Sequence, residues 1–254
     1  MAERLDHTVA LVTGASSGIG AATARRLATE GAAVAAVARR KDRLDDLVKQ
    51  IEAGGGRALA VEADITSIDE ATGAIARTVA ELGRLDTLVN NAGVMLLGPA
   101  VGAPLDEWER MVALNLQALL YVTHAALPHL LDAAESSPRG VSDLVNISSV
   151  AGRVARSGSG VYNATKWGVG AVSESLRQEL SERYVRVSVV EPGAVATELT
   201  THLRPEIREQ SRSRFAGVKP LQADDIADAV AYIVTRNREV AVNEILVRPT
   251  SQAM

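Results

Sequence analysis

Short β-branched runs alternate with longer amphipathic stretches along the whole chain, and this pattern constrains the fold more than any other sequence feature. Several of the short runs are apolar throughout, as in parallel strands that are covered on both faces. The pattern therefore predicts one Rossmann-type α/β domain over residues 1–254, a doubly wound, seven-stranded parallel sheet flanked by helices. The predicted strands are 8–13, 33–37, 57–61, 87–90, 143–147, 185–190 and 244–247.

The amphipathic stretches between these strands predict six helices, and no linker rich in Pro, Gly or Ser divides the chain. Residues 132–142 are polar and rich in helix breakers, which predicts a surface loop. Residues 199–219 are the least periodic segment, and we expect them to form a substrate lid over a ligand crevice. The predicted helices are 18–30, 41–53, 67–82, 105–131, 161–183 and 222–235.

Composition excludes several classes of site and partner. The chain has no cysteine, which rules out disulfides, thiolate catalysis and cysteine-bound metals. A net charge of −4 argues against a nucleic-acid partner. Apolar runs such as 32–38 are too short to cross a membrane and the N-terminus is polar, so we expect a cytoplasmic protein without a membrane partner. The histidines do not have metal-ligand spacing, so no metal is expected: His7, His124, His129 and His202.

A glycine-rich turn directly follows the first predicted strand and precedes an alanine-rich helix. Gly14 can adopt the positive φ of a tight turn, Gly18 lets the backbone approach a pyrophosphate, and Gly20 permits close packing. The helix N-terminus then offers free N–H groups to phosphates. This context predicts a dinucleotide site rather than an ordinary turn. Its expected phosphate-side residues are Gly14, Ser16, Ser17, Gly18, Ile19 and Gly20.

The residues after the second strand indicate which dinucleotide binds. An NAD site carries a carboxylate about 20 residues beyond the glycines, but Ala38 occupies that position and Arg39 and Arg40 follow. Two guanidinium groups suit the dianion of a 2′-phosphate. The alternative is a solvated charge run that opens the next helix. The sequence favours NADP(H).

Tyr162 and Lys166 lie four residues apart on a predicted helix, which places both side chains on one face. A free tyrosine has a pKa of about 10. A neighbouring ammonium is expected to lower that pKa, so that the phenol can exchange a proton with a carbonyl oxygen. Upstream, Ser148 and Ser149 close the fifth strand, and either hydroxyl could hold the substrate oxygen. Asn115 lies within a predicted helix, where its alternative role is that of a locally bonded polar residue.

Together these motifs resemble the short-chain dehydrogenase/reductase family over nearly the whole chain, and four segments resemble its NADPH-dependent carbonyl reductases. The resemblance rests on TGASSGIG at 13–20, Asp64, NNAG at 90–93, Asn115, Ser149, YNATK at 162–166 and Pro192–Gly193. It selects Ser149 over Ser148 and implies a catalytic tetrad of Asn115, Ser149, Tyr162 and Lys166. In that tetrad Asn115 would fix a relay water, Lys166 would also bind the nicotinamide ribose, and Tyr162 would be the acid/base.

The resemblance implies further cofactor contacts and an assembly. Arg39 matches the family's NADP-selecting position, and the helices at 105–131 and 161–183 would form the interface of a homotetramer or dimer. The remaining implied cofactor contacts are Asp64 and Ile65 beside the adenine, with Asn91, Ala92, Gly93, Pro192, Gly193 and Thr197.

The predicted function is NADP(H)-dependent transfer of hydride between the nicotinamide and a carbonyl or alcohol substrate, most simply reduction of a small or medium aldehyde or ketone. The alternatives are a 3-oxoacyl-thioester reductase and a catalytically idle NADPH-binding sensor or scaffold. Arg153 and Arg156 follow Ser149 and are either solvated or contact a substrate carboxylate. Position alone suggests an apolar pocket wall of Met95, Leu96, Val154, Ala194 and Val195.

Overall fold

The computed structural model describes residues 4–214 and 217–253, and within them one parallel seven-stranded sheet has the order β3-β2-β1-β4-β5-β6-β7. This confirms the predicted α/β class. Residues 215 and 216 of the predicted lid, and 1–3 and 254 of the predicted domain, lie outside the described residues. The strands are β1 (Val9–Thr13), β2 (Ala33–Ala38), β3 (Arg57–Glu62), β4 (Thr87–Asn90), β5 (Ser142–Ile147), β6 (Val185–Pro192) and β7 (Glu244–Val247).

Helices cover both faces of the sheet, as two apolar faces on each central strand require. In β1, Val12 packs into the layer that contains Leu27 and Ile226, whereas Leu11 packs into the layer that contains Ile75 and Val122. Both layers are dry cores. The helices are α1 (Gly18–Thr29), α2 (Lys41–Ala53), α3 (Ile68–Leu82), α4 (Leu105–Val112), α5 (Ala118–Ser136), α6 (Gly160–Leu180), α7 (Pro205–Arg214) and α8 (Ala223–Val234).

Helix α5 corrects two expectations. It runs to Ser136, so the predicted loop over 132–142 was wrong in its first half; Ala133 and Ala134 are buried and continue the packed face. The helical stretch Leu105–Ser136 is also long and apolar enough to cross a membrane by length and composition. The apolar runs are therefore not all too short for that. Val122 and Leu130 nevertheless pack beneath the sheet of this fold.

The predicted lid contains a helix that sequence periodicity did not indicate. Helix α7 begins at Pro205 with Glu206 in its first turn, and both residue types are favoured at a helix N-terminus. Its sequence is polar almost all round, so no apolar stripe marked it as a helix. A 3₁₀ turn, Glu198–His202, precedes it.

One predicted helix is divided by a π turn. Residues Ala113–Gln117 form this turn between α4 and α5, and its buried member is Asn115. Single π turns inside α-helices frequently occur at functional sites. The turn places the asparagine side chain against the Val94 backbone, in the segment that follows β4.

Candidate active site

A groove of about 330 Å³ lies at the carboxyl ends of the strands, on both sides of the point where strand order reverses between β1 and β4. Ligands of open α/β sheets bind at such switch points. Gly20 of the predicted cofactor residues does not line the groove. Those that line it are Gly14, Ser16, Ser17, Gly18, Ile19, Arg39, Arg40, Asp64, Ile65, Asn91, Ala92, Gly93, Tyr162, Lys166, Pro192, Gly193 and Thr197.

The glycine turn has the backbone that the sequence predicts. Gly14 and Gly18 have φ of +66° and +53°. A Cβ on Gly14 would lie 2.8 Å from the Cα of Ala92, and one on Gly20 would lie 2.5 Å from the carbonyl oxygen of Gly14. Gly20 therefore supports the turn from behind rather than lining the groove. Asn91 braces the same turn, because its amide donates to the carbonyl oxygen of Thr13 at 2.9 Å.

The two arginines after β2 face different parts of the groove. The Arg40 guanidinium donates to the hydroxyls of Ser16 and Ser17 at 3.0 and 2.8 Å, beside the phosphate-side turn. Arg39 is 64% exposed, and its Nη1 lies 3.7 Å from a carboxylate oxygen of Asp64. Burial raises the pKa of Asp64, but hydrogen bonds from Thr66 and the charge of Arg39 outweigh it and leave the pKa below its ordinary value. Arg40 is thus the arginine that reaches the turn.

Tyr162, Lys166 and Ser149 meet where β5 ends against α6. Tyr162 and Lys166 are 7% and 6% exposed. The Lys166 ammonium donates to the carbonyl oxygen of Ile147 at 2.9 Å and lies 6.0 Å from the centre of the Tyr162 ring. Ser149 forms a hydrogen bond with the Tyr162 hydroxyl. The four-residue spacing on α6 therefore does bring phenol and ammonium together.

The electrostatics of this pair differ from the expectation. Burial raises the pKa of Tyr162 above its ordinary value, and the hydrogen bond with Ser149 only partly opposes it. Burial also lowers the pKa of Lys166 to about 8. Burial therefore keeps Tyr162 a neutral phenol in the protein alone, and the Lys166 ammonium donates to the carbonyl oxygen of Ile147. The prediction that Lys166 lowers the phenol pKa does not describe this state.

Hydrogen bonds distinguish the two serines. Ser148 is 4% exposed, and its hydroxyl donates to the carbonyl oxygen of Lys166 at 3.1 Å. The Ser149 oxygen instead accepts from the backbone N–H of Ala151 and remains beside Tyr162. Ser148 therefore fixes α6 to the strand end, and Ser149 is the hydroxyl available to a ligand.

Asn115 is 1% exposed and fully used as a donor. Its side-chain oxygen accepts from the N–H of Val94 at 2.7 Å, and its amide donates to the Val94 carbonyl and to the Thr165 hydroxyl at 2.8 and 3.2 Å. An amide has two N–H donors, so both are occupied. The Asn115 side chain thus links Val94, in the segment after β4, to Thr165 on α6, and holds the two at a fixed separation.

Other predicted pocket residues have different roles. Val195 lines the groove, whereas Leu96 packs with Met111 and Tyr162, and Val154 is exposed. Neither Met95 nor Ala194 lines the groove. The Arg153 side chain is 42% exposed, and it is also ion-paired: its Nε donates to the buried carboxylate of Glu191 at 2.7 Å, and it pairs with Glu244 as well. The half-buried Arg156 guanidinium makes no ion pair among the described residues.

Sequence reasoning missed part of the groove. Glu198, Leu199 and His202 line it from the 3₁₀ turn after β6. Leu199 and His202 belong to the predicted lid 199–219 but were not assigned as groove residues, and Glu198 directly follows the predicted contact Thr197. Val94, Leu114 and Ile147 add an apolar floor. Across the described ranges 4–214 and 217–253, no group of three His, Asp or Glu side chains could hold a metal ion.

Residues 8–208 match the sequence profile of the short chain dehydrogenase family. The chain belongs to this family. It is an oxidoreductase of the dehydrogenase/reductase type. The match covers every strand except β7, and so includes the glycine turn and the Tyr162–Lys166 pair.

Three similar proteins, one known from its sequence and two from solved structures, illustrate the relatives of this chain. Glycine betaine reductase of Emericella nidulans is 38% identical over 98% of this chain, which spans only 19% of that longer protein. A metagenomic short-chain oxidoreductase solved in complex with NADP is 35% identical, with a TM-score of 0.80 and 97% and 99% of the two chains covered. The 3-ketoacyl-(acyl-carrier-protein) reductase of Brucella melitensis, complexed with NADH, is 29% identical, with a TM-score of 0.85 over 97% and 98%.

Proposed function

We propose that this protein reduces a small or medium aldehyde or ketone with NADPH, and oxidises the alcohol in reverse. The carrying observation is one continuous groove with the Ser149–Tyr162–Lys166 cluster at one end and Arg40 on the glycine turn at the other. In this proposal Tyr162 is the proton donor, at the opposite end of the groove from the residues that hold the 2′-phosphate. A binding protein would not need the buried phenol and ammonium.

The residues present fit a nicotinamide dinucleotide. The Gly14 turn leaves no room for a Cβ against Ala92, and Ala38 leaves the end of β2 without a carboxylate. When bound, the cofactor supplies or accepts the hydride. Arg40, Ser16 and Ser17 would hold a 2′-phosphate, because guanidinium and hydroxyl donors suit a dianion. Asp64 and Ile65 would flank the adenine.

The chain's own residues carry the proton chemistry. Ser149 would hold the substrate oxygen by a hydrogen bond, and the neutral Tyr162 phenol would give that oxygen its proton. A phenol kept neutral by burial is the form needed for reduction. Lys166 would bind the nicotinamide ribose and orient it, and Asn115 would hold the Val94 backbone and α6 at a fixed separation.

Substrate choice and assembly extend the proposal. The stretch 199–214 would cover the substrate end of the groove, since it follows directly on the lining residue Thr197.

Exposed apolar side chains on α4, α5 and α6 support self-association as a dimer or tetramer: Val112 (45%), Leu120 (39%) and Trp167 (52%). We also propose a cytoplasmic location, where NADPH is available to a reductase.

The test is oxidation of NADPH and NADH by wild type and Tyr162→Phe over a panel of aldehydes, ketones and acyl thioesters. Phe fills the same buried space without the hydroxyl, so cofactor affinity should persist while turnover falls about 10²- to 10⁴-fold. Equal turnover in the variant would contradict the assignment of Tyr162. Equal use of NADH would contradict the choice of cofactor.

A 3-oxoacyl-thioester reductase is the second candidate. The likeness to the Brucella melitensis 3-ketoacyl reductase over nearly the full chain favours it. Activity on acyl-carrier thioesters without activity on free aldehydes would establish this alternative. The same panel therefore separates the two.

A further inference from the structure

The Arg40 guanidinium is shared between the two walls of the groove. On one side it donates to Ser16 and Ser17 of the phosphate-side turn at 3.0 and 2.8 Å. On the other its Nη1 donates to a carboxylate oxygen of Glu198 at 2.9 Å. Glu198 opens the 3₁₀ turn after β6, which the Thr197 hydroxyl caps by accepting from the N–H of Leu199. The Glu198 carboxylate, in the segment after β6, thus binds the arginine that we expect to bind the anionic group of a ligand.

The Glu198 carboxylate is surrounded by positive charge. Arg43 approaches its second oxygen at 3.8 Å, in addition to Arg40 at 2.9 Å. The hydrogen bond from Arg40, with the charges of Arg40 and Arg43, outweighs burial and lowers the pKa of Glu198, so the carboxyl is ionised near neutral pH. Arg40 and Arg43 together resemble an anion-binding site in which the Glu198 side chain takes the place of a bound anion.

The ion pair is weak enough to exchange. Arg40 and Glu198 side chains are 43% and 42% exposed, and exposed ion pairs contribute up to about 1 kcal/mol. A 2′-phosphate brings more charge and more acceptor oxygens than a carboxylate. The 2′-phosphate can therefore replace the Glu198 carboxylate as the partner of the Arg40 guanidinium, provided that the carboxylate moves away.

We propose that Glu198 is a specificity-determining residue that competes with the cofactor's 2′-phosphate for Arg40, and so weakens NADP(H) binding selectively. This rests on the proposed NADP(H) function. NADH has no 2′-phosphate and need not displace the carboxylate, so Glu198 should have little effect on the affinity for NADH. The preference of the enzyme for NADPH is consequently smaller than its arginines alone would provide.

The experiment measures calorimetric dissociation constants for NADPH, NADH, 2′,5′-ADP and 5′-ADP with wild type and Glu198→Gln. Gln keeps the shape and removes the charge. We expect NADPH and 2′,5′-ADP to bind about two- to five-fold more tightly to the variant, as loss of an exposed ion pair allows, with NADH and 5′-ADP nearly unchanged. In an Arg40→Gln background, Glu198→Gln should increase the affinity for NADPH by a smaller factor.

Glu135→Gln is the matched control, because Glu135 is an exposed acid on α5 that pairs with Arg183 at 2.7 Å and does not line the groove. It changes net charge equally and should leave all four constants unchanged. A wild type that prefers NADPH, with Glu198→Gln unchanged, weaker, or tighter for both cofactors alike, would overturn the role of Glu198. A wild type with no preference for NADPH would instead overturn the proposed cofactor choice, and this inference with it.

Discussion

The side-chain oxygen of Gln252 accepts a hydrogen bond from the backbone N–H of Ala194 at 2.9 Å, so the C-terminal tail supports the segment that follows β6. A Cβ on Gly193 would lie 2.4 Å from that oxygen, which means that the contact needs glycine there. Gln252 is 7% exposed. The neighbouring Pro192 and Gly193 line the groove.

The first prediction concerns this contact. Gln252→Ala removes the acceptor of the Ala194 N–H, and we expect the free energy of unfolding to fall by about 1–3 kcal/mol because a backbone donor loses its partner. Cofactor affinity should fall as well, since the groove segment loosens. Urea unfolding and cofactor titration measure the two effects. The exposed neighbour Ser251→Ala is the control, and equal behaviour of the two variants would refute the supporting role.

The second prediction concerns the pH dependence of stability. Lys166 has a pKa of about 8 in the folded protein against 10.5 as a free side chain, because burial disfavours its charge. The unfolded chain therefore binds more protons than the folded one between these values, and the stability penalty, complete below pH 8, fades as pH rises. The full difference corresponds to about 3 kcal/mol.

Urea unfolding of wild type and Lys166→Met at pH 7.5 and pH 9.5 checks this. Wild type should gain stability over this interval relative to the variant, which has no group to titrate at that position. Tyr162, whose pKa is raised by burial, works in the opposite direction only above pH 10. Parallel pH profiles of the two proteins would show that Lys166 is not held in this state.

The third prediction concerns two glycines. A Cβ on Gly20 would lie 2.5 Å from both the Gly14 carbonyl oxygen and the Asn91 amide, so Gly20→Ala should distort the turn and weaken cofactor binding at least about ten-fold. Gly73 lies inside α3 with no atom within 4 Å of its Cβ position. Gly73→Ala should therefore stabilise the protein by about 0.5–1 kcal/mol. Thermal unfolding and cofactor titration of both variants distinguish a crowded glycine from a free one.

The fourth prediction concerns two arginines that follow Ser149, just beyond the carboxyl end of β5. Arg153→Met leaves the buried Glu191 carboxylate without its partner, and we expect a loss of about 1–3 kcal/mol in the free energy of unfolding. Arg156→Met removes a guanidinium without an ion pair in the described structure and should leave stability unchanged. A KM change in Arg156→Met alone would identify that residue as a substrate contact. Equal stability of the two variants would refute the Arg153–Glu191 clamp.

The sequence predicted what depends on local pattern. The strands are short runs rich in Val, Ile, Leu or Ala, and the turn at Gly14 and the four-residue spacing of Tyr162 and Lys166 are encoded within short windows. These features form wherever the fold forms. The doubly wound parallel sheet followed from the alternation of strands and helices, because such alternation requires crossover connections, which are right-handed.

The sequence did not predict what depends on contacts between distant residues. Arg40 and Glu198 are 158 positions apart, and no local pattern joins them. Helix α7 lacks an apolar stripe, so only its capping residues marked it. The neutral state of Tyr162 depends on burial, which spacing cannot specify.

Two reciprocal hydrogen bonds between β5 and α6, from Ser148 to the Lys166 carbonyl and from Lys166 to the Ile147 carbonyl, also bear on how this enzyme can change. They tie the wall of the groove that carries Tyr162 and Lys166 to the sheet, whereas the opposite wall also makes exposed ion pairs, such as that of Glu198 with Arg40. Engineering can therefore treat the two walls separately. Variation confined to 199–214 should redirect substrate choice while the proton-transfer geometry is inherited unaltered.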